Sequence, residues 1–312
     1  MKKKKTVTSL ILIVMSVVFF SSGYMVYAMN DNSKFEEQAS QTDPILGKID
    51  REKLRTPEPA MRPPVTQAID FDKPVEKEAD FSKILVTGDI ADKIKNSDKS
   101  EFDKNIGNYE KALVQLDVPQ EFRDQIDNLI KKDKKIQDIL PIYNFLYDNY
   151  GTIAELDGLV DKLESAGNLE DIIREYNNSS PKFVPSNFED QYLKKLMETF
   201  SVNDIMIADR LSQKGVSKFE DLIALRQSGK SWKTINATLG VINTSDQFPK
   251  VSLTRAQVNK CMQDNGLNES DAIDVLVITS KTGKDYATVA SELKKGKKKE
   301  TIYAETYTEK YK

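Results

Sequence analysis

Hydrophobic residues recur at helical spacing through most of the chain from residue 81 onward. The stripe from Tyr109 to Leu116 follows positions i, i+3, i+4 and i+7 and ends at Pro119, the pattern of a helix that buries one face. No convincing run with the two-residue alternation of a strand occurs between residues 81 and 295. The pattern predicts an all-α fold, with no strand in this region.

One helical pattern occurs twice. Residues 229–239 read Gly-Lys-Ser-Trp-Lys-Thr-Ile-Asn-Ala-Thr-Leu, and residues 283–293 read Gly-Lys-Asp-Tyr-Ala-Thr-Val-Ala-Ser-Glu-Leu. Such self-similarity is typical of stacked helical repeats. The shared positions, which we interpret as structural anchors of the repeat, are Gly229, Ser231, Trp232, Ile235 and Leu239 in the first copy and Gly283, Asp285, Tyr286, Val289 and Leu293 in the second.

These anchors belong to larger units of three predicted helices. From about residue 204 to residue 240, the first two helices end at Gly215 and Gly229, because glycine adopts the left-handed conformation that closes a helix. Residues 254–293 repeat this plan. A looser copy spans residues 142–176, and residues 109–140 are a candidate for a degenerate fourth. The sequence therefore predicts tandem three-helix repeat units in about three copies.

The N-terminus has the layout of a signal peptide. Four lysines, Lys2 to Lys5, precede an apolar run from Leu10 to Phe20, and small residues before Ala28 suit cleavage after that position. The alternative is an uncleaved membrane anchor, because residues 7–29 carry no charge and are long enough to cross a bilayer as a helix. Both interpretations predict an extracytoplasmic protein, secreted or anchored to the cytoplasmic membrane and facing outward.

A polar segment with six prolines follows at residues 29–80. This composition predicts a disordered linker that holds the rest of the chain away from the membrane or wall. The predicted organisation is 1–28 signal peptide or membrane anchor, 29–80 linker, 81–180 helical region with a degenerate repeat, 181–241 and 242–295 helical repeat units, and 296–312 a Lys/Tyr-rich tail.

Composition removes several classes of site. The chain has no histidine and one cysteine, Cys261, which excludes Ser-His-Asp and Cys-His nucleophilic sites, His/Cys zinc and haem sites, and an intramolecular disulfide. The 46 basic and 49 acidic residues give a net charge of −3. Without the first 28 residues, which hold four of the lysines, 42 basic residues face 49 acidic ones, a net charge of −7. This charge disfavours nucleic acid as a partner.

Two patterns resemble nucleotide or DNA sites. Gly229-Lys-Ser231 resembles part of a phosphate-binding loop, but the upstream glycine and the preceding strand are missing. Residues 229–241 resemble the first helix and turn of bacterial helix-turn-helix proteins. The segment that should supply the recognition helix, residues 242–249, is short, acidic and ends in proline. DNA binding is therefore the remote alternative.

Other candidate chemistry comes from carboxylates and lysines. A cell-wall hydrolase needs only a Glu/Asp pair, and the chain offers Glu36-Glu37, Glu189-Asp190 and Glu220-Asp221. An oxygen-rich loop around Gly266 departs from EF-hand spacing, so an ordinary turn is favoured over a calcium site. The lysines at 294–299 precede a tail with a tyrosine every fourth residue. A frayed, solvated tail is favoured there over a short docking helix or a patch that touches envelope phosphates.

The aromatic anchors are interpreted as core residues rather than a ligand-stacking platform, because Trp232 shares its stripe with Ile235 and Leu239. The layout as a whole resembles exported all-α repeat proteins of Gram-positive bacteria, a resemblance that carries no active residue onto this chain. We therefore expect a non-enzymatic helical-repeat protein that binds or scaffolds a protein or cell-envelope polymer partner. We expect no cofactor and no metal, and contact with a membrane only through an uncleaved N-terminus. The first alternative is a cell-wall hydrolase.

Overall fold

Most of the residues that the structure describes are in α-helices. The computed structural model describes residues 17–19, 25–29, 86–180 and 183–311. The predicted signal peptide or anchor and the predicted linker lie outside these ranges, apart from two short strands, and Ala28 lies in the second of them. Helices account for 70% of the interpretable region, which confirms the all-α prediction. None of the helices in these ranges has the length and apolar character that crossing a membrane requires.

The described ranges contain a succession of α-helices. In chain order they are α1 Gly88–Ser97, α2 Phe102–Gln115, α3 Gln120–Lys131, α4 Ile136–Asp148, α5 Leu156–Ala166, α6 Leu169–Ser179, α7 Asp190–Met197, α8 Val202–Gln213, α9 Phe219–Gln227, α10 Trp232–Thr238, α11 Arg255–Asn265, α12 Glu269–Thr282, α13 Tyr286–Lys294 and α14 Lys299–Tyr311. A short 3₁₀ helix, Ile153–Glu155, precedes α5.

Three hydrophobic cores follow one another along the chain. The first lies among α1 to α6, where α4 buries apolar residues along its whole length, from Ile136 to Leu146. The second lies among α8, α9 and α10 and encloses Trp232. The third lies among α11, α12 and α13 and is centred on Val275 and Ile278. All three cores belong to one compact unit.

The first two cores are joined by a short stretch of paired backbone. Thr152 forms a bridge with Val241, the Ile153 N–H donates to the Gly240 carbonyl at 2.8 Å, and the Ile242 N–H donates to the Gly151 carbonyl at 2.9 Å. Beside this contact the buried ring of Tyr150 stacks on Phe248, with centroids 6.1 Å apart. These bonds satisfy backbone groups that would otherwise be buried without partners.

The prediction that residues 81–295 contain no strand is wrong at one place. Residues Lys250–Thr254 form strand β3, which pairs in parallel with β2 (Met25–Met29), and β2 pairs antiparallel with β1 (Val17–Phe19). Val251 and Leu253 are buried, whereas Lys250, Ser252 and Thr254 are exposed, which is the two-residue period of a half-buried strand. The run holds only five residues, so its alternation was too short to stand out beside the capping signal at Thr254.

The expectation of a frayed C-terminus is also wrong. Helix α14 runs almost to the end of the chain and packs against α4, α6 and α12. Ile302 lies in the third core, whereas Ala304 and Tyr311 lie in the first, so α14 joins the two. The lysine block that precedes it is partly paired: Lys299 lies 2.6 Å from Asp274, and Lys297 bonds Glu292 and Glu305. A docking helix is the correct interpretation of this segment.

The position of α14 gives a first prediction. Ile302→Ala should lower the free energy of unfolding by about 2–5 kcal/mol, because it removes a fully buried side chain from the third core. Urea titration of the purified protein measures this change. Glu309→Ala on the exposed face of the same helix is the control and should change it by less than about 0.5 kcal/mol. Equal effects of the two substitutions would contradict the docking of α14.

Candidate functional site

The first set of predicted anchors surrounds the start of α10. Gly229 has a φ of +88°, the left-handed conformation that ends α9 at little cost. The Ser231 side chain accepts a hydrogen bond from the Thr234 N–H at 3.1 Å and caps α10. Trp232 and Ile235 are buried, and Leu239 packs against the second core as a partly buried residue. The interpretation of Trp232 as a core residue is confirmed.

The second set of anchors holds α13 in a more open setting. Gly283, with a φ of +68°, ends α12, and Asp285 caps α13 by accepting from the Thr288 N–H at 3.0 Å. Val289 is fully buried, whereas Tyr286 and Leu293 are only partly buried against the third core. The Tyr286 hydroxyl reaches the surface and donates to Asp264 at 2.7 Å. The two aromatic anchors therefore occupy different environments.

The burial of Trp232 depends on a carboxylate of α8. Oδ1 of Asp204 accepts from the Trp232 indole N–H at 2.8 Å and from Nε of Arg226 at 2.6 Å. Its Oδ2 accepts from the backbone N–H and the hydroxyl of Ser201, at 3.0 and 2.7 Å. Burial alone would raise the pKa of Asp204, but the bonds from Ser201, Arg226 and Trp232 outweigh it and hold the pKa below its usual value.

A second buried carboxylate on α8 fixes the loop that leads into α7. Asp209 accepts from the Ser186 backbone N–H at 2.8 Å and from its hydroxyl at 2.6 Å. The amide of Gln213 donates to the same carboxylate at 3.0 Å. Next to it, the guanidinium of Arg210 lies over the buried ring of Phe183 at 5.6 Å. The segment that enters α7 is therefore held by charge-assisted hydrogen bonds.

A lysine at the end of α8 reaches back to the first core. Nζ of Lys214 donates to the Asn149 carbonyl at the end of α4 and to the Tyr176 hydroxyl on α6, both at 3.0 Å. Burial and the nearby Arg210 lower the pKa of Lys214 to about 8, and Glu155 opposes the shift. The Lys214 amine thus has two hydrogen-bond acceptors, and it loses its proton at a lower pH than an exposed lysine does.

A third polar group of this kind lies under α14. The Tyr307 hydroxyl donates to Asp148 at 2.6 Å, and Asn144 accepts from Lys310 at 2.7 Å and from the Tyr311 hydroxyl at 2.9 Å. On α12, burial lowers the pKa of Lys281 far below its usual value, although the Asp148 charge acts in the opposite direction. These polar contacts hold α14 on α4 in addition to the packing of Ala304 and Tyr311 in the first core.

The carboxylate pairs proposed as hydrolytic groups do not converge on a pocket. Glu189 and Asp190 are exposed at the start of α7, and Glu220 and Asp221 are exposed on α9. Glu36 and Glu37 lie outside the described residues. On α12, burial raises the pKa of the Asp274 carboxyl, but that carboxylate is already bound to Lys299. Of these carboxylates, the four on α7 and α9 are thus solvated separately and that of Asp274 is held in an ion pair.

The oxygen-rich loop around Gly266 uses its side chains to hold the fold. Asn268 caps α12 by accepting from the Asp271 N–H at 2.9 Å, and its amide donates to the Asp271 carboxylate. Asp264 pairs with Lys260 and accepts from Tyr286, and Glu269 pairs with Arg255. No cluster of three or more metal-ligating side chains forms anywhere in the described ranges. The one cysteine, Cys261, is buried, and this burial raises the pKa of its thiol.

The residues after α10 do not complete a DNA-binding motif. Residues 242–249 form no helix, and Val241, Ile242 and Phe248 are buried. A helix-turn-helix reader needs an exposed second helix that can enter the major groove. The segment that resembles such a motif therefore has no recognition helix behind it.

Exposed apolar side chains concentrate in one short segment. The large hydrophobic residues that stand exposed in the described part of the chain are Val184, Tyr192, Met197 and Val202, between 39% and 53% exposed. All four lie between residues 184 and 202, in and around α7. Single exposed apolar residues are ordinary on protein surfaces, so it is the nearness of these four along the chain that sets this segment apart. We call residues 184–202 the α7 surface.

Sequence reasoning missed the charged residues that organise α8. Asp204 carried a signal, because Ser201 and Asp204 have the spacing of a capping box. Asp209, Lys214 and Asp148 carried none, because their partners lie far away along the chain. Comparison of the chain with family models, with curated proteins and with solved structures finds no match. The interpretation of function therefore depends on these contacts and on the α7 surface.

Removal of the Trp232 side chain should be among the most damaging single changes. Trp232→Ala should lower the free energy of unfolding by about 3–5 kcal/mol, since it empties the middle of the second core. Trp232→Phe keeps most of the volume but leaves Asp204 without one donor, which should cost about 1–3 kcal/mol. Thermal and urea melts measure both. A loss from Trp232→Ala no larger than that from Tyr286→Ala would argue against this burial.

The lowered pKa of Lys214 predicts a dependence of stability on pH. The unfolded chain keeps the Lys214 proton up to about the usual value of 10.5, whereas the folded chain releases it near 8. The unfolded state then binds more protons in this window, so the free energy of unfolding should rise as pH increases from 8 towards 10. Comparison with Lys214→Met by urea titration isolates this rise, because other titrating groups contribute equally to both proteins. Identical slopes in the two proteins would refute it.

Proposed function

We propose that this protein is a non-enzymatic, extracytoplasmic helical scaffold that binds a protein partner through the α7 surface. The observation that carries the proposal is that the large apolar residues exposed in the described part of the chain, Val184, Tyr192, Met197 and Val202, all lie in this one segment. Exposure of apolar side chains to water is unfavourable in free energy. A partner that covers these side chains would therefore gain binding free energy from their burial.

The tandem arrangement supports the role of a scaffold. Helices α8, α9 and α10 and helices α11, α12 and α13 follow the same order, each with a glycine that ends the second helix and a side-chain cap that starts the third. Helices α5 and α6 share the glycine and the cap, at Gly167 and Asn168. We interpret these as three copies of one unit. Repeats of this kind present extended surfaces rather than one deep pocket.

The chemistry of the surface favours a protein over an envelope polymer. Teichoic acids and phospholipid headgroups are anionic and attract clustered lysines. The α7 surface instead combines apolar side chains with charges of both signs, Glu189 and Asp190 at its start and Lys194 and Lys195 in its middle. Mixed apolar and polar composition is typical of protein interfaces. The lysines and the apolar run at residues 1–28 support the proposed extracytoplasmic location.

Site-specific photo-crosslinking in the producing cell tests this proposal. A photoreactive amino acid in place of Tyr192 should yield a protein adduct, and the same group in place of exposed Glu121 on α3 should not. Met197→Ser should reduce the adduct at position 192 several-fold, since it removes part of the apolar contact. Equal adducts at both positions, or none at position 192, would refute the proposal. Digestion of cell wall by the purified protein would favour the hydrolase instead.

A further inference from the structure

The segment around α7 is fixed to α8 at two points. At its start, the backbone N–H and hydroxyl of Ser186 donate to Asp209 at 2.8 and 2.6 Å. At its end, the same two groups of Ser201 donate to Asp204 at 3.0 and 2.7 Å. Both acceptors are buried carboxylates of one helix, α8. Charge-assisted bonds to buried carboxylates are among the stronger hydrogen bonds in proteins, so both ends of the segment are firmly held.

Between these two points the side chains make no polar contact with the other residues that the structure describes. From residue 187 to residue 200, no side chain forms a hydrogen bond or an ion pair with any residue in the described ranges. The backbone bonds of this stretch are local ones, such as the Leu193 N–H to the Glu189 carbonyl and the Phe200 N–H to the Leu196 carbonyl. The charges of Lys194 and Lys195 stand in solvent.

Among the described residues, α7 is held between its two ends by apolar contacts, and they are few. Leu196 is the one residue of α7 that is buried. Leu193, Phe188 and Phe200 are partly buried against the second core, and the ring of Phe188 lies 4.9 Å from that of Phe219 on α9. Tyr192 and Met197 remain 39% and 53% exposed. Few buried contacts and exposed side chains mark the part of a protein that opens at the lowest free energy.

We propose that residues 187–200 form a flap that lifts from α8 and α9 while Ser186 and Ser201 stay bound to their carboxylates. Lifting uncovers the underside of α7 and the apolar surface beneath it, at Phe219 and its neighbours. The uncovered surface, together with Tyr192 and Met197, would take an amphipathic segment of the protein partner. The choice of partner rests on the proposed function, whereas the motion of the flap does not.

The contacts under α7 indicate what kind of segment this surface accepts. In the closed form it holds one short helix through apolar residues three positions apart, Leu193 and Leu196, with aromatic rings at either end. This is the spacing by which amphipathic helices dock in apolar grooves. A partner helix that packs on the surface beneath α7 would bury apolar side chains that the closed flap covers only in part.

Native-state hydrogen exchange of the full chain, followed by mass spectrometry, tests the flap. Amides of α7 should exchange at least about a hundredfold faster than those in the middle of α8, and the α7 rate should rise with urea much less steeply than the α8 rate. A shallow rise means that α7 opens without global unfolding, because lifting exposes only the underside of α7 and the surface beneath it. Protection of α7 equal to that of α8, or a rate that rises with urea as steeply as for α8, would overturn the proposal.

Two substitutions make the test specific. Leu196→Ala should speed exchange of α7 at least about tenfold, because it removes the main contact of the closed form. The matched control Leu163→Ala, on α5 in the first core, should leave the α7 rate unchanged. Ser186→Ala should extend fast exchange towards residue 184. Fast exchange without any adduct at position 192 would support the flap and refute the binding role. An adduct at position 192 with slow exchange of α7 would support the binding role and refute the flap.

Discussion

Buried charges need partners, and on α8 this requirement links the parts of the molecule together. Asp204 holds α9 and α10 through Arg226 and Trp232, and Asp209 holds the loop before α7. Lys214 then reaches the ends of α4 and α6. A buried charge without its partner costs several kcal/mol. Each of these segments is therefore held where a charged side chain of α8 needs a hydrogen-bond partner. The apolar residues of the second core pack around these bonds.

The same need for a hydrogen-bond partner explains why the two matching patterns differ in structure. Trp232 and Tyr286 occupy the same position after a glycine and a cap, yet Trp232 is fully buried and Tyr286 is not. A buried indole needs an acceptor for its N–H, and Asp204 supplies it at 2.8 Å. The Tyr286 hydroxyl finds its acceptor, Asp264, at the surface. The location of the acceptor thus decides how deeply each aromatic anchor is buried.

Local signals predicted helices and their ends, but not the contacts that join them. Gly229, Ser231, Gly283 and Asp285 close or start helices where the sequence predicted, because caps and left-handed glycines act over a few residues. Strand β3 was missed because five alternating residues give a weak signal. The packing of α14 was missed because its tyrosines bond to Asn144 and Asp148, more than 150 positions away. Long-range polar pairs leave no periodic trace in a sequence.

The same distinction separates α7 from its neighbours. Its apolar residues recur at helical spacing, as in an ordinary packed helix, yet Tyr192 and Met197 are 39% and 53% exposed. Helix α8 is covered and charged, so its position is fixed by bonds that cannot be broken cheaply. Helix α7 is anchored only at its two ends and held between them by Leu196 and a few partly covered rings. A segment of that kind can exchange its contacts with α8 and α9 for contacts with another protein at small cost, and the two carboxylates that fix its ends would keep the rest of the fold unchanged while it does so.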